Sequence, residues 1–197
     1  MPRSLFLAVL LVFLIAATVA QQSPPPPAPH PAPASVDNDF VQKQFGSTCT
    51  LAAGPSLQTA DLDGDGTEDA VIVARCTNPM LDQAEHGYKV IDPYDTFFGY
   101  GDPKVTTQFA SEEPERRGVV LLVIHGAGAE AWHSASPKAK FMIINLPFKQ
   151  IMVKKLQLRK KMVMAIYADE VGGAGTVSAT FWDGKKYKYQ PMGSSMQ

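Results

Sequence analysis

The sequence predicts a mainly β protein with one antiparallel, sandwich-like domain and a short N-terminal helix; a β-rich α+β arrangement is the alternative. Runs of β-branched, aromatic or alternating residues follow one another, separated by short Gly, Pro, Asn or Asp punctuation. Asp183-Gly184 lies between two of these runs, which favours a tight hairpin. Helical segments do not alternate with the runs, as a parallel α/β sheet would require. The predicted strands are Ala70–Cys76, Val119–His125, Lys140–Leu146, Ile151–Leu158, Met162–Ala168, Val177–Trp182 and Lys186–Gln190.

Residues 1–20 predict an export signal. Arg3 is a minimal basic region, an uncharged apolar run extends from Leu5 to Val19, and small residues up to Ala20 suit cleavage. The apolar run is shorter than the roughly 20 residues that span a bilayer. We therefore expect a secreted, periplasmic or cell-envelope protein with no transmembrane segment after signal removal, and a retained anchor is the alternative.

A proline-rich linker over residues 21–35 follows the signal, with the sequence SPPPPAPHPAPA from Ser23 to Ala34. Proline fixes φ and lacks an N–H group, so this stretch favours an extended polyproline II rod. At about 3.1 Å per residue it would reach roughly 35 Å, which suits a spacer. A ligand for a proline-recognition domain is the alternative. Residues 36–197 then form the predicted β-rich calcium-loop domain.

The domain is predicted to begin with an amphipathic helix that Ser35 caps, that runs from Val36 to Phe45 and that Gly46 ends. The stretch from Asn78 to Ser111 has weak periodicity and many helix and strand breakers, so its role stays unassigned.

The strongest motif is the segment DLDGDGTED over residues 61–69, which leads directly into an apolar β-branched run. Its carboxylates at loop positions one, three, five and nine can converge on a hard cation that takes six to eight oxygens. Two carboxylates about 5 Å apart repel by about 3 kcal/mol at an effective dielectric near 20, so their convergence favours a bound cation. Oxygen ligands select calcium over zinc or copper. The predicted ligands are Asp61, Asp63, Asp65, Thr67 through its carbonyl, and Asp69.

The position of an EF-hand's bidentate Glu is Ile72 here, which excludes that loop type. The pattern D-x-D-G-D-G-x-x-D followed by a strand resembles the calcium loop of FG-GAP and VCBS repeats, the blade unit of integrin α chains. The resemblance covers residues 57–76 in a single copy, and it implies the same five ligands. It does not extend to adhesion, and the chain is too short for a full propeller.

Cys49 and Cys76 are the two cysteines of the chain and bracket the aspartate loop. Because an exported protein enters an oxidising compartment, we predict that they form a disulfide.

Charge is divided unevenly along the domain. Residues 36–135 carry 6 basic and 16 acidic side chains, whereas residues 136–197 carry 11 basic and 3 acidic ones. The overall formal charge of -1 argues against a nucleic-acid binder. We expect the two halves to attract each other, and a basic patch that binds an anionic polymer is the alternative for the second half.

A second motif, the run from Val119 followed by His125-Gly126-Ala127-Gly128, resembles the strand and HG-x-G turn of α/β-hydrolases. The chain has no G-x-S-x-G nucleophile elbow. His125 and His133 match no H-E-x-x-H helix, so a structural role is favoured for both. Four aromatic residues are interpreted as core and cross-strand packing, with a carbohydrate platform as the alternative: Trp132, Trp182, Tyr187 and Tyr189.

The preferred hypothesis is an exported, non-catalytic, calcium-stabilised domain with a binding or cell-envelope structural role. Its partner would be a protein or glycan at the cell envelope. The alternatives are an extracellular hydrolase that uses His125 or His133, and a module that binds an anionic polymer or acts as an inhibitor.

Overall fold

Strands dominate the protein. The computed structural model describes residues 36–54, 56–99, 116–171 and 175–194. The predicted export signal, the predicted linker and residues 100–111 of the unassigned stretch lie outside these residues. Of the described residues, 46% are in strands and 17% in helices, which confirms the mainly β prediction.

The strands and helices lie between short segments of the sequence that contain Gly, Pro, Asn or Asp. The strands are β1 (Cys49–Leu51), β2 (Leu57–Ala60), β3 (Asp69–Cys76), β4 (Lys89–Ile91), β5 (Val119–His125), β6 (Ala139–Ile143), β7 (Phe148–Gln157), β8 (Met162–Glu170), β9 (Thr176–Trp182) and β10 (Tyr187–Ser194). The helices are α1 (Asn38–Phe45), α2 (Gln83–His86), α3 (Pro93–Phe98) and a 3₁₀ helix (Gly128–His133). Strands β1, β2 and β4 were not predicted, because three or four residues are too few to show a period of two.

Several predicted boundaries are wrong by one to four residues, and two of the differences have a clear local reason. The helix begins at Asn38, and its N-cap is Asp37, not Ser35, because the Asp37 carboxylate accepts a hydrogen bond of 2.8 Å from the Phe40 N–H. The strand predicted to reach Leu146 ends at Ile143, since Asn145 has a φ of 60° that extended backbone does not allow.

The first sheet has the strand order β1-β3-β5-β6-β4, with β2 also paired to β3. Strands β1 and β2 share β3 as a partner: β1 pairs with its last residues, in the register Cys49 to Cys76, and β2 with its first, in the register Ala60 to Asp69. All pairings in this sheet are antiparallel except β4 with β6. The predicted aspartate loop therefore lies at the β2–β3 hairpin.

The second sheet is an antiparallel meander in the order β10-β9-β8-β7. The predicted turn at Asp183 joins β9 and β10, where the Asp183 carboxylate accepts N–H bonds of 2.9 Å from Lys185 and Lys186. This side-chain turn ends one strand and starts the next.

The first sheet is buried on both faces. On one face, α1 inserts Val41 and Phe45 into a core cluster with alternate residues of the central strands, among them Ile72 and Leu122. On the other face, Val71, Val123 and Ile143 pack in a second cluster with Ile166, Tyr187 and Tyr189 from the second sheet. The layers are thus helix, sheet and sheet, and near-continuous apolar runs such as β5 result from burial on both sides.

Cys49 and Cys76 are bonded to each other across the β1–β3 pair, which confirms the predicted disulfide. The bond closes a loop with a sequence separation of 27 residues that contains the aspartate loop. Disulfides persist in oxidising environments, so this bond indicates an oxidising, extracellular type of compartment. Among the described residues, no helix combines the length and apolarity needed to cross a bilayer.

Candidate metal centre

The aspartate loop occupies the turn between β2 and β3, and its residues from Leu62 to Thr67 bend tightly. Gly64 and Gly66 have φ values of 78° and 87°, which side chains with a Cβ rarely adopt. These glycines let the chain fold back so that alternate side chains point to one centre.

Three of the predicted ligands converge. Each of Asp61, Asp63 and Asp65 offers a carboxylate oxygen, and these oxygens lie within 4.8 Å of one another. We call these three residues the aspartate cluster. Backbone N–H groups hold the carboxylates in place: Asp61 Oδ1 accepts from Gly64 at 2.8 Å, and its Oδ2 accepts from Gly66 at 2.9 Å. The loop is therefore folded around the oxygens that a cation would need.

Asp69 supports the loop from its base, at the start of β3. Its side chain is buried, and Oδ2 accepts hydrogen bonds from the N–H groups of Leu62 at 2.7 Å and Asp63 at 3.3 Å. Its Oδ1 accepts a bond of 2.8 Å from the Gly126 N–H. Burial raises the pKa of Asp69 to about 6, although these N–H donors act in the opposite direction. Asp69 thus ties the loop to the segment after β5.

Thr67 lies within the same turn and is partly buried. Its backbone N–H donates a bond of 2.8 Å to Asp65 Oδ1, which fixes the third carboxylate of the aspartate cluster.

A lysine from the other half of the chain contacts the aspartate cluster. Lys138 Nζ donates to Asp63 Oδ2 at 2.7 Å and to Asp65 Oδ2 at 2.6 Å. This contact is the main reason that the pKa of Asp65 falls to about 2, and the two carboxylates raise the pKa of Lys138. The ammonium group lies between two predicted metal ligands, so the structure places a positive charge where the repulsion of the carboxylates needs one.

A buried chain of polar groups supports Asp63 from the core side. His125 Nδ1 lies 3.3 Å from Asp63 Oδ2, and His125 Nε2 lies 2.7 Å from the Tyr187 hydroxyl. Burial lowers the pKa of His125 and raises that of Tyr187, so both are neutral at pH 7. A proton on Nδ1 beside the carboxylate leaves Nε2 to accept from the tyrosine hydroxyl. Tyr187 and His125 thereby set the orientation of the Asp63 carboxylate.

The predicted histidine pair belongs to two different environments. His125 ends β5 and is 1% exposed, with both ring nitrogens facing Tyr187 and Asp63. His133 is exposed and stacks on Trp132, with ring centroids 3.6 Å apart. Trp132 in turn donates from Nε1 to Glu68 Oε2 at 3.1 Å.

The aromatic residues considered as a carbohydrate platform mostly pack inside the protein. Trp132, Tyr187 and Tyr189 are buried in the two main clusters. Trp182 is half-buried, and its ring lies 5.3 Å from that of Phe141. This confirms the core-packing interpretation for the three buried rings.

Three parts of the site were not predicted from the sequence: Lys138, Tyr187 and Gly126. Lys138 is 75 positions from Asp63, and no local pattern connects them. The one signal in the sequence was the opposite charge of the two halves, which predicts attraction without naming the pair. The backbone N–H of Lys138 donates to the His125 carbonyl at 3.0 Å, and this bond brings the lysine to the loop.

Comparison of the chain with protein-family models, curated proteins and solved structures finds no match. Any function proposed for the site therefore depends on the geometry of the site itself.

Proposed function

We propose that the protein is an exported, non-catalytic domain that one Ca²⁺ ion stabilises at the aspartate cluster, with a binding role at the cell envelope. The observation that carries this proposal is the convergence of Asp61, Asp63 and Asp65 within 4.8 Å. Their donor atoms are all carboxylate oxygens, the set that calcium prefers. Thr67 and Asp69 are the further ligands that the resemblance to FG-GAP and VCBS loops predicts.

The contacts of the cluster support a cation in this place. The Lys138 ammonium bonds two of the three carboxylates, so a positive charge fits among them without rearrangement of the loop. Lys138 is about half exposed, at 49%, so water screens its contribution and a divalent ion would compensate the three carboxylates more fully. The half-exposed lysine can also swing away from the cluster when an ion enters.

The structural role of the ion follows from the position of the loop. The hairpin joins two strands of the first sheet, and Asp69 links it to the segment after β5. An ion held there would fix the hairpin and the core beneath it. Export is supported by the disulfide, together with the apolar run at the N-terminus of the sequence.

The hydrolase alternative receives less support from the contacts of its histidines. Both ring nitrogens of His125 face protein groups, and the His133 ring packs on Trp132. A general base needs a ring nitrogen directed at a substrate proton.

Calorimetric titration of the full chain with Ca²⁺ tests the proposal. The wild type is expected to bind one ion and to melt at a higher temperature in calcium than in chelator, because a ligand that binds only the folded state stabilises it. Asp63→Asn should weaken calcium binding by at least about tenfold, equivalent to about 1.4 kcal/mol, and should remove the melting shift.

Asp39→Asn is the matched control, since it neutralises an exposed carboxylate in α1 and should leave both measurements unchanged. Absence of a binding heat, with the same melting temperature in calcium and in chelator, would show that the proposal is wrong.

A further inference from the structure

A cavity lies beside the aspartate cluster, at one end of the space between the two sheets. Its volume is about 530 Å³, and its walls come from the aspartate loop and from β7, β8 and β9. Pockets of roughly 300–1,000 Å³ are typical of small-molecule sites. We call it the end cavity.

The apolar surface of the end cavity comes largely from the inward face of β8. Alternate residues of β8 face the first sheet, and Ile166 and Ala168 are buried against it. Farther along the same face, Met164 is only half-buried and Met162 is 55% exposed. Both line the end cavity together with Trp182. The inward face of a sheet is thus left uncovered here, and it offers sulfur, methylene and indole surface to a ligand.

Two charged walls of opposite sign enclose this apolar surface. Asp61 and Asp63 line one wall, and Lys155 and Lys161 line the other. Both lysines are exposed, and within the described part of the chain neither one forms an ion pair. Their ammonium groups are therefore available to a bound anion, whereas the carboxylate wall repels an anion unless a metal ion covers it.

We propose that the end cavity binds a small amphiphile with one carboxylate head and an apolar body, and that Ca²⁺ at the aspartate cluster strengthens this binding. The apolar body would lie on Met162, Met164 and Trp182, and the head would lie near Lys155 and Lys161. This inference rests on the proposed function, because a bound ion would cancel most of the negative charge of the carboxylate wall and so weaken its repulsion of an anion. The ligand of the calcium-stabilised domain would then be an anionic amphiphile.

The test uses the full chain and the fluorescence of anilinonaphthalenesulfonate, a probe with an anionic head and an aromatic body. Octanoate is expected to displace the probe in calcium, and octyltrimethylammonium, with the same chain and the opposite charge, is expected not to. Transfer to chelator should weaken octanoate binding several-fold. Displacement by the cationic amphiphile alone would overturn the inference, because the carboxylate wall would then be the one that binds.

Two double variants locate the site. Lys155→Gln with Lys161→Gln should weaken octanoate binding several-fold, since each exposed ammonium group contributes a modest attraction that water screens. Lys149→Gln with Lys160→Gln removes the same charge from residues outside the lining and should bind octanoate like the wild type. Equal affinities of the two double variants would overturn the inference.

Calcium calorimetry on the same samples separates the two proposals. Ca²⁺ binding without displacement of the probe by octanoate would overturn the end-cavity inference and leave the proposed function intact. Absence of calcium binding would overturn the proposed function, and with it the calcium dependence of the cavity.

Discussion

At the scale of single residues, the stability of the aspartate cluster depends on the positive charge that compensates its three carboxylates. Three carboxylates within 4.8 Å repel one another, and the Lys138 ammonium bonds two of them. A lysine held in this way and the proposed Ca²⁺ ion would compete for the same oxygens. Lys138 therefore compensates the carboxylates of the loop, and it would oppose entry of the proposed Ca²⁺ ion.

Lys138→Gln separates these two effects. The variant should be less stable than the wild type in chelator, because the carboxylates lose their partner, and it should bind Ca²⁺ more tightly, because the competing cation is gone. Thermal melting in chelator and calcium calorimetry measure the two quantities. Lys149→Gln, at an exposed lysine of β7, is the control for loss of one positive charge. Weaker calcium binding by Lys138→Gln would contradict the competition.

A second residue-scale feature is the buried carboxylate of Asp92, which caps α3. Its Oδ1 accepts from the Asp95 N–H at 2.8 Å, and its Oδ2 accepts from Asn145 Nδ2 at 2.6 Å. Burial raises its pKa to about 6, above the value of about 3.9 in an unfolded chain. Between these values the folded state binds more protons than the unfolded state, so stability rises as the pH falls through 6 and levels off below about 4.

Asp92→Asn should remove this pH dependence, since an amide does not titrate and its oxygen can still cap the helix. From pH 7 to pH 5 the free energy of unfolding of the wild type should gain about 1.3 kcal/mol relative to the variant. Urea denaturation of both proteins at the two pH values measures the difference, which cancels the other titrating groups. Parallel pH profiles would mean that Asp92 is ionised in the folded protein at little cost.

At the scale of elements, the connection after β5 holds the loop to the core. Gly126 donates its N–H to Asp69 Oδ1, and the backbone oxygen of Glu68 occupies space that a Cβ on Gly126 would need. A Cβ at this position would also lie 2.7 Å from the Ala131 carbonyl carbon. Only glycine allows the hairpin loop, β5 and the 3₁₀ helix to meet here.

Gly126→Ala should therefore lower the free energy of unfolding by about 2 kcal/mol, the usual cost of overpacking, and should weaken calcium binding through Asp69. Ala129→Ser, at an exposed residue of the 3₁₀ helix, is the neighbouring control and should change neither quantity. Chemical denaturation and calorimetry give the two readouts. Wild-type stability of the alanine variant would mean that the backbone can shift without loss.

At the scale of the whole molecule, the disulfide and the proposed ion site lie on the same segment of chain. The bond between Cys49 and Cys76 spans 27 residues, and β2, the aspartate loop and β3 all lie within that span. Cross-linking restricts the unfolded chain, and a metal ion would stabilise the folded loop. The disulfide therefore acts on the unfolded state, whereas the ion would act on the folded state.

Replacement of both cysteines by alanine should reduce the free energy of unfolding by about 3 kcal/mol, as expected from closure of a loop of this length. Reductant should lower the stability of the wild type to a similar degree and leave the variant unchanged, which separates the bond from the packing of the side chains. Urea denaturation with and without reductant measures both. If the wild type has the same free energy of unfolding with and without reductant, the disulfide does not stabilise the protein by restricting its unfolded chain.

The sequence by itself determined the class of the fold, the strand runs that are long enough to show their period, the disulfide partners and the position of the aspartate loop. These features depend on local spacing, on the number of cysteines and on burial patterns that a short window of sequence contains. The structure confirmed the mainly β prediction. The short strands β1, β2 and β4 and the Asp37 cap were not predicted.

Tertiary structure alone decided what surrounds the loop. Lys138 contacts Asp63 from 75 positions away, and Gly126 contacts Asp69 from 57 positions away. Tyr187 reaches Asp63 only through His125. The fold also brings β7, β8 and β9 beside the aspartate loop, where they line the end cavity. Such contacts arise from the way in which the two sheets pack, and no single segment encodes them. The charge asymmetry of the two halves predicted attraction, but only the folded chain selects which lysine meets which carboxylate.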